Sequence, residues 1–197
     1  MTFRLGLTGS IGMGKSTTAK MFAEEGCALW DADAAVHRLY SEGGAAVGPM
    51  REAFPEAVVD GAVSRERLKE VIGREAAALK RIEAIVHPLV AQDRQEFLDQ
   101  ATADIAVLDI PLLFENGSEA MMDAVVCVTT PAEVQRQRVL DRGTMTEAQF
   151  EAIRAKQMPD DEKRRRADYV IVTDTLEHAR QQVQDVVRQI RDRMRHA

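Results

Sequence analysis

Short apolar runs alternate along the chain with longer stretches in which apolar residues recur every three or four positions. The spacing of Val183, Val186, Val187 and Ile190 is typical of the second kind and predicts an amphipathic helix. The apolar runs are residues 3–7, 27–30, 105–110, 124–128 and 169–173. Buried strands that alternate with helices predict an α/β fold, with a five-stranded parallel sheet between two helical layers.

The stretch from about 36 to 100 separates two of these strands and is too long for a simple crossover. Helical spacing predominates after residue 62, and Ser64 is suited to cap the first helix. We expect a later helix to be interrupted at His87-Pro88, because proline disfavours the helical conformation in the preceding residue. His87 is then either a helix-end histidine with a satisfied hydrogen bond or a ligand contact. The pattern predicts a helical insertion that recognises a substrate.

Two further helices are predicted between the fourth and fifth strands. Capping boxes are expected at 130–133 and 144–147. Arg138 and Arg142 lie on the first of these helices, where guanidinium groups are able to close over phosphates as part of a lid. For Arg164 and Arg165, further along, a solvated face paired with nearby acids is the favoured interpretation.

Residues 9–16, Gly-Ser-Ile-Gly-Met-Gly-Lys-Ser, match the phosphate-binding pattern G-x-x-x-x-G-K-[ST]. The segment follows the first apolar run and precedes a helix, which is the context that the motif needs. Its glycines allow backbone N–H groups to face phosphates at the helix N-terminus. Lys15 is expected to reach the β- and γ-phosphates, and the Ser16 hydroxyl to ligate Mg²⁺. The motif predicts a P-loop NTPase-type fold that binds a nucleoside triphosphate.

Three acidic residues follow strands of the predicted sheet. Asp31 and Asp33 come after the second strand, and Asp109 lies near the end of the third, after its apolar residues. Ligands bind at the carboxyl ends of parallel strands, so Asp31 or Asp33 either takes a proton from a hydroxyl, helps to hold Mg²⁺, or caps the next helix. Asp109 is either a Walker-B acid that holds Mg²⁺ through water or a surface residue.

Composition narrows the class of protein. The 197 residues are 45% hydrophobic and carry a net charge of −6, so we expect one globular domain and no nucleic-acid partner. Cys27 and Cys127 lack C-x-x-C spacing, which indicates buried thiols in a reducing cytoplasm. We expect neither a signal peptide nor a membrane span, because no apolar run approaches about 20 residues.

Several motifs make the whole chain resemble the dephospho-coenzyme A kinase family of P-loop small-molecule kinases. The phosphate loop is shared by many families, but the remaining blocks together are much more specific. The motifs are Leu-Thr-Gly-Ser-Ile-Gly-Met-Gly-Lys-Ser-Thr at 7–17, Asp-Ala-Asp-Ala-Ala-Val-His at 31–37, Arg65, Ile-Val-His-Pro-Leu at 85–89, Asp-Ile-Pro-Leu-Leu-Phe-Glu at 109–115, Gln135 with Arg138 and Arg142, Gln157 with Lys163, and Ala167-Asp168.

The resemblance implies ATP-dependent phosphorylation of the ribose 3′-hydroxyl of dephospho-CoA, the last step of coenzyme A synthesis. It also implies a single kinase domain, 1–197, with three parts. These are a nucleotide-binding core at about 1–35, 101–135 and 167–197, a helical CoA-binding insertion at about 36–100, and a lid at about 136–166. The partners implied are ATP and dephospho-CoA, and we expect a cytoplasmic monomer.

The resemblance further implies roles for individual residues. Asp33 is expected to accept the 3′-hydroxyl proton, and Arg138 and Arg142 to approach the phosphates. Mg²⁺ is expected near Ser16, with Asp33 or Asp109 as candidate ligands through water. The expected ATP-binding residues are Gly9, Ile11, Gly12, Met13, Gly14, Lys15, Ser16 and Thr17. The expected acceptor-site residues are Asp31, Arg65, His87, Pro111, Leu112 and Glu115.

One stretch departs from the family pattern, since Thr173-Asp174-Thr175 stands where many members carry Asn-x-Gly near adenine. The alternative functions are another small-molecule kinase such as shikimate or gluconate kinase, a GTPase-type switch, and a noncatalytic nucleotide sensor. Shikimate kinase lacks the long insertion with His-Pro, and the GTPase motifs N-K-x-D and D-x-x-G do not occur in the sequence. A sensor needs no catalytic base, whereas Asp33 is suited to be one.

Overall fold

The computed structural model describes residues 2–196. The strands are β1 Phe3–Thr8, β2 Ala28–Asp31, β3 Val58–Val59, β4 Ala62–Val63, β5 Ile105–Asp109, β6 Ala124–Thr129 and β7 Tyr169–Val172. The helices are α1 Lys15–Glu24, α2 Ala32–Tyr40, α3 Val47–Ala53, α4 Arg65–Arg74, α5 Ala78–Gln100, α6 Ala132–Asp141, α7 Glu147–Lys156, α8 Asp160–Arg166 and α9 Leu176–Arg195. Contacts divide the chain into two compact units, Asp31–Gln100 and the remainder, which we call the insertion unit and the core unit.

The core unit contains the predicted five-stranded parallel sheet, in the order β2-β5-β1-β6-β7. Every residue of β5 and β6 is buried, which explains why these strands read as unbroken apolar runs. β1 lies between β5 and β6, with Leu5 opposite Val107 on one side and Ala124 on the other. The loop that follows β1 therefore leaves the middle of the carboxyl edge, where open α/β sheets bind ligands.

Helices α1 and α9 cover the sheet and share one apolar cluster with it. Phe22 of α1 and Val183, Val187 and Ile190 of α9 are at most 2% exposed. The helix was predicted from the spacing of these apolar residues of α9. Burial of this apolar face, more than intrinsic helix propensity, holds α1 in place behind the phosphate-binding loop.

The insertion unit has its own apolar core, built from α2 to α5 and a small hairpin. Met50, Phe54 and Val71 are among its buried side chains. The hairpin pairs β3 with β4, and its turn residues Asp60 and Gly61 have positive φ angles of 49° and 80°. An Asp-Gly pair is a favoured two-residue hairpin turn. A helical insertion was predicted here from the sequence, but this hairpin was not.

Helix α5 is continuous for 23 residues, with Pro88 inside it. The predicted interruption at His87-Pro88 is therefore wrong, and His87 is exposed in mid-helix rather than at a helix end. Proline removes one N–H donor and disfavours the helix locally. Ile82 and Val86 pack into the insertion core and hold the helix together before the proline.

The two predicted helix starts after β6 are wrong in register. Helix α6 has Pro131 at the N-cap and no side-chain cap, so Thr130 lies one residue too early to form the box. The capping box of α7 is formed by Thr146 with Gln149, not by residues 144 and 147. Both errors come from choosing the first residues that fit a short pattern.

Both cysteine thiols are buried and free, as the sequence analysis expected. Burial raises the pKa of Cys27 to about 11 and that of Cys127 to about 12, the latter also because Asp160 lies nearby. Among residues 2–196, no helix is long and apolar enough to cross a membrane.

Because Pro88 interrupts no helix, we expect Pro88→Ala to stabilise the protein. Alanine restores one backbone donor inside α5 and removes the proline penalty, in part offset by the greater freedom of the unfolded chain. We expect a gain of about 1 to 2 kcal/mol in the free energy of unfolding, measured by urea denaturation.

Pro49→Ala is the matched control, because Pro49 lies in the first turn of α3, where an N–H has no intrahelical acceptor. We expect little change in stability from it. A loss of stability in the Pro88→Ala variant would contradict this account of α5.

Candidate active site

The phosphate-binding loop occupies the turn between β1 and α1. Gly12 and Gly14 have positive φ angles of 77° and 91°. A Cβ atom on Gly12 would lie 2.6 Å from Val139 Cγ2 and 3.0 Å from the Gln135 carbonyl oxygen. Both the backbone angle and the close approach of α6 therefore require glycine at position 12.

The first turn of α1 presents the chemistry that the motif predicts. Ser16 and Thr17 are exposed, and the unpaired N–H groups and positive dipole end of the helix lie beside them. Lys15 forms an ion pair with Asp109 at the end of β5, where the Asp109 side chain is 4% exposed. Interpreting Asp109 as a surface residue is therefore wrong. This edge of the sheet brings together a cation, an acid, a hydroxyl and helix-end N–H groups.

A cavity of about 260 Å³ adjoins the end of the phosphate-binding loop. Arg138 lines it and donates to Thr173 Oγ1, at 2.9 Å, and to the Thr173 carbonyl. The cavity is lined by Gly14, Thr17, Thr18, Met21, Arg138, Arg142, Thr173, Asp174, Thr175, Leu176 and Ala179. Arg138 of α6 and Arg142, the C-cap of that helix, thus lie beside the stretch that departs from the family pattern.

Asp174 forms a local pair at the rim of this cavity. Its Oδ1 accepts from the Thr175 N–H at 2.8 Å and lies 2.7 Å from His178 Nδ1. Hydrogen bonding to His178 lowers the pKa of Asp174. The carboxylate is therefore held at the start of α9 and remains ionised at neutral pH.

The turn that follows β5 contains the predicted residues Pro111, Leu112 and Glu115. The Pro111 carbonyl accepts from Thr8 Oγ1 at 3.2 Å, and Leu112 is 39% exposed. Glu115 Oε2 accepts from the Met158 N–H at 3.1 Å and lies 3.2 Å from Lys163 Nζ. Glu115 Oε2 thus contacts both the segment between α7 and α8, through Met158, and α8 itself, through Lys163.

Lys163 is fully buried, and within residues 2–196 its ammonium makes no hydrogen bond. Its approach to Glu115 is close enough for an ion pair but does not have the direction of a hydrogen bond. An ammonium taken out of water needs a compensating charge, and Glu115 supplies it. This pair therefore fixes α8 against the turn after β5.

Other contacts hold α8 on the core unit as well. Asp160 accepts from Thr129 Oγ1 at 2.8 Å and lies 3.0 Å from Arg164 Nε. Arg165 is exposed and lies 3.3 Å from Asp161, so Arg164 and Arg165 lie on a solvated face paired with acids, as expected. Helices α7 and α8 both border a larger cavity of about 710 Å³, lined in part by Arg154 of α7 and Arg164 of α8.

The predicted residues of the insertion unit are mostly exposed. Asp31 Oδ1 accepts from the Ala34 N–H at 2.8 Å and caps α2, whereas Asp33 lies exposed in the first turn of that helix. Arg65 lies over the Tyr40 ring at 5.6 Å, and His87 is exposed on α5. The Asp31 carboxylate is therefore used as a helix cap, whereas the Asp33 carboxylate is exposed to solvent.

Two glutamines contact the phosphate-binding loop in a way that the sequence analysis did not foresee. Gln135 Nε2 donates to the Ile11 carbonyl at 2.8 Å, and Gln157 Oε1 accepts from the Ile11 N–H at 3.4 Å. Gln135 is 3% exposed on a helix whose neighbouring positions are mostly exposed. A polar residue on the buried face of an amphipathic helix was the signal available in the sequence.

The side chains at this edge fit a magnesium ion. Mg²⁺ prefers oxygen ligands and is usually held by one or two side chains together with substrate phosphates. Ser16 supplies an exposed hydroxyl and Asp109 a carboxylate at the same edge of the sheet. Residues 2–196 contain no group of three or more His, Cys, Asp or Glu side chains that could hold a metal ion.

The fold and this site define a P-loop phosphotransferase. The sequence model of the dephospho-CoA kinase family matches residues 3–178. A dephospho-CoA kinase of Ruegeria pomeroyi is 76% identical over 191 residues, which are 97% of each chain. A second one, of Cereibacter sphaeroides, is 62% identical over 96% of each chain. A crystal structure from Thermus thermophilus superposes with a TM-score of 0.84 and 33% identity, over 94% of this chain and 96% of the other.

The chain belongs to the dephospho-CoA kinase family. Its activity is the ATP-dependent phosphorylation of the 3′-hydroxyl of dephospho-CoA, which yields coenzyme A and ADP. The comparisons support this activity and not the alternative of shikimate or gluconate kinase.

We expect Lys163→Met to reduce the free energy of unfolding by about 3 kcal/mol, because it leaves Glu115 partly buried without a cation. The double variant Lys163→Met with Glu115→Gln is expected to lose less than the two single losses combined, since it removes both charges. Urea denaturation of the three variants measures this coupling.

Arg165→Met is the control on the same helix. Its ion pair with Asp161 is exposed, so we expect a change below about 1 kcal/mol. Additive losses in the double variant would show that the buried pair does not contribute as a pair.

Proposed function

We propose that Asp33 is the general base of the reaction. In a phosphoryl transfer the attacking hydroxyl has to lose its proton, and a carboxylate within reach accepts it. The observation that supports Asp33 over its neighbour is the use of Asp31 as the cap of α2, which leaves Asp33 exposed one position into the helix. We propose that Asp31 contributes to the acceptor site by capping α2 and so holding the first turn that carries Asp33.

The donor nucleotide is proposed to lie along the turn from β1 to α1. Its β- and γ-phosphates would accept from Lys15 and from the backbone N–H groups of Gly12 and residues 14–17, with Gly9, Ile11 and Met13 shaping the loop. Lys15 is held at this edge by Asp109. A lysine anchored in this way is presented to the γ-phosphate without the full entropic cost of ordering a long side chain.

We propose that Mg²⁺ binds with the nucleotide, held by Ser16 and, through water, by Asp109, with Asp33 as a further candidate ligand. The metal neutralises charge on the phosphates when it is bound. Exposure of Ser16 at the N-terminus of α1 and the hard oxygen donors at this edge support this assignment.

The smaller cavity is proposed to receive the adenine of ATP. It begins at Gly14 and Thr17, where the phosphates of a bound nucleotide would end, and Arg138 and Arg142 line its side. Guanidinium planes stack on aromatic rings and stabilise phosphate charge, so both arginines suit a site that bridges base and phosphates. Asp174 replaces the expected Asn-x-Gly at this rim and offers an acceptor to an exocyclic amine.

Dephospho-CoA is proposed to contact Arg65, His87, Pro111 and Leu112. Arg65 and His87 are exposed and polar, which suits a substrate with phosphates, and Leu112 offers exposed apolar surface. We propose that Glu115 acts indirectly, because its ion pair with Lys163 holds the turn that carries Pro111 and Leu112.

The mobile part of the lid is proposed to be α7 and the loop before it. Helix α8 is fixed by ion pairs and hydrogen bonds, and the loop after α7 is held by Gln157 and Met158, whereas α7 itself buries only Phe150 among its described residues. Since every proposed role falls on this chain's own residues, we propose that a monomer carries the reaction. Its two buried, free thiols suit the reducing cytoplasm.

Acceptor specificity is tested by measuring ADP release with dephospho-CoA, shikimate, gluconate and nucleosides. We expect dephospho-CoA to stimulate release of ADP from MgATP and the other compounds to have little effect. A failure of dephospho-CoA to stimulate ADP release would overturn the assigned reaction.

The proposed base is tested with Asp33→Asn. We expect kcat with dephospho-CoA to fall by at least about a hundredfold, because asparagine cannot accept the proton. The Kd for ATP is expected to stay close to that of the wild type. Asp99→Asn, an exposed change on α5, is the control and should leave both constants unchanged. Near-normal turnover of the Asp33→Asn variant would remove Asp33 from the mechanism.

A further inference from the structure

The phosphate-binding loop is held in shape from outside, through the carbonyl oxygens of alternate residues. Gln135 Nε2 donates to the Ile11 carbonyl at 2.8 Å, and Thr173 Oγ1 donates to the Met13 carbonyl at 2.6 Å. Both donors are side chains that are less than a tenth exposed, Gln135 at 3% and Thr173 at 7%. Neither was given a role by the sequence motifs.

Each of these carbonyls shares a peptide unit with the N–H of the following glycine. The Ile11 carbonyl is coupled to the Gly12 N–H, and the Met13 carbonyl to the Gly14 N–H. In a planar trans peptide the C=O and N–H bonds point in opposite directions. A donor that holds the carbonyl on the outer side of the loop therefore turns the N–H toward the inner side, where phosphates bind.

We infer that Gln135 and Thr173 are positioning residues that aim the Gly12 and Gly14 N–H groups at the phosphates of the nucleotide. Glycine at these two positions is free to rotate, and this freedom permits the positive φ angles of 77° and 91° but does not by itself select a direction. The two side chains supply that selection. The inference rests on the proposed binding of the nucleotide to this loop.

Helix α6 carries both contacts. Gln135 acts directly, and Arg138, three residues later on the same helix, donates to the hydroxyl and carbonyl of Thr173. Arg138 donates to Thr173 Oγ1 at 2.9 Å, so the hydroxyl proton points away from the guanidinium, toward the Met13 carbonyl at 2.6 Å; the Thr129 carbonyl is a more distant acceptor at 3.3 Å. One helix thereby sets the orientation of two peptide units in the loop.

The Ile11 N–H is already used by the protein, because Gln157 Oε1 accepts from it at 3.4 Å. The Ser10 carbonyl of the same peptide accepts from the Met13 N–H at 3.2 Å. That peptide is thus satisfied on both sides and has no donor to spare for phosphate. We therefore expect the N–H groups of Gly12 and Gly14 to donate to a bound phosphate, and the Ile11 N–H to stay bonded to the protein.

The inference is tested with Gln135→Met and Thr173→Val, which keep the side-chain volume and remove the donor. We expect each to raise the Kd for MgADP by about tenfold, the effect of misdirecting one hydrogen bond to a charged group. The double variant should approach the product of the two effects, because the peptide units are separate. Titration calorimetry measures binding, and thermal unfolding without ligand reports stability separately.

Residue-specific NMR separates positioning from a merely structural role. In the wild type, we expect the amide signals of Gly12 and Gly14 to move when MgADP binds. Gln135→Met should weaken the response of Gly12 and keep that of Gly14, and Thr173→Val should do the reverse. A general loosening of the fold would weaken both responses in both variants.

Gln137→Met and Thr144→Val are the matched controls, since both residues are exposed and, within residues 2–196, the hydrogen bond of the Gln137 side chain is to Asp141 on its own helix. We expect neither to change the Kd for MgADP. If the wild type failed to bind MgADP, the proposed nucleotide site would be at fault. If it bound MgADP while the Gly12 and Gly14 signals stayed unmoved, or if Gln135→Met and Thr173→Val bound as tightly as the wild type, this inference alone would fall. Should one variant not fold, the other variant and the wild-type signals decide the matter.

Discussion

A loop that binds phosphate through its backbone has to keep several N–H groups free of protein partners while its shape stays fixed. Elsewhere in a protein, buried backbone groups form hydrogen bonds with other protein groups, so N–H groups kept free for phosphate are an exception. In this molecule the conflict is resolved by satisfying the carbonyls instead. Gln135, Thr173 and Thr18 donate to the carbonyls of Ile11, Met13 and Gly14 respectively.

This constraint explains why several distant segments meet at the loop. The sheet brings the ends of β1, β5, β6 and β7 to one edge, so that Asp109 reaches Lys15 and Thr173 reaches Met13. Helix α6 packs so closely that only glycine fits at position 12. The site is therefore assembled from strand ends and one helix, and loss of sheet register would displace most of it.

The five-stranded sheet and the phosphate-binding loop could be predicted from the sequence because their signals are local. Unbroken apolar runs such as 124–128 specify buried parallel strands, and residues 9–16 carry nearly all the determinants of the loop. The roles of Gln135 and Thr173 could not be predicted in this way. They depend on contacts across 124 and 160 positions of sequence, which only the folded sheet creates.

Errors arose where a local rule competed with packing. Proline at 88 disfavours helix in isolation, yet α5 runs through it because Ile82 and Val86 before it are buried in the insertion core and Leu89 and Val90 after it pack partly against that core. The cap patterns at 130–133 and 144–147 satisfied a sequence rule but lay out of register with the real helix starts. A capping pattern specifies only two residues and often occurs by chance, and tertiary packing determines where the helix begins.

The burial of Cys27 and Cys127 has a consequence for an enzyme of this family, because its acceptor and its product both carry a free thiol. Thiol–disulfide exchange requires an accessible thiolate, and raised pKa values together with burial keep both side chains protonated and out of reach. The protein is thereby protected from forming mixed disulfides with its own substrate. The apolar packing that buries the two cysteines thus also keeps them from reacting with the thiol of the substrate and product.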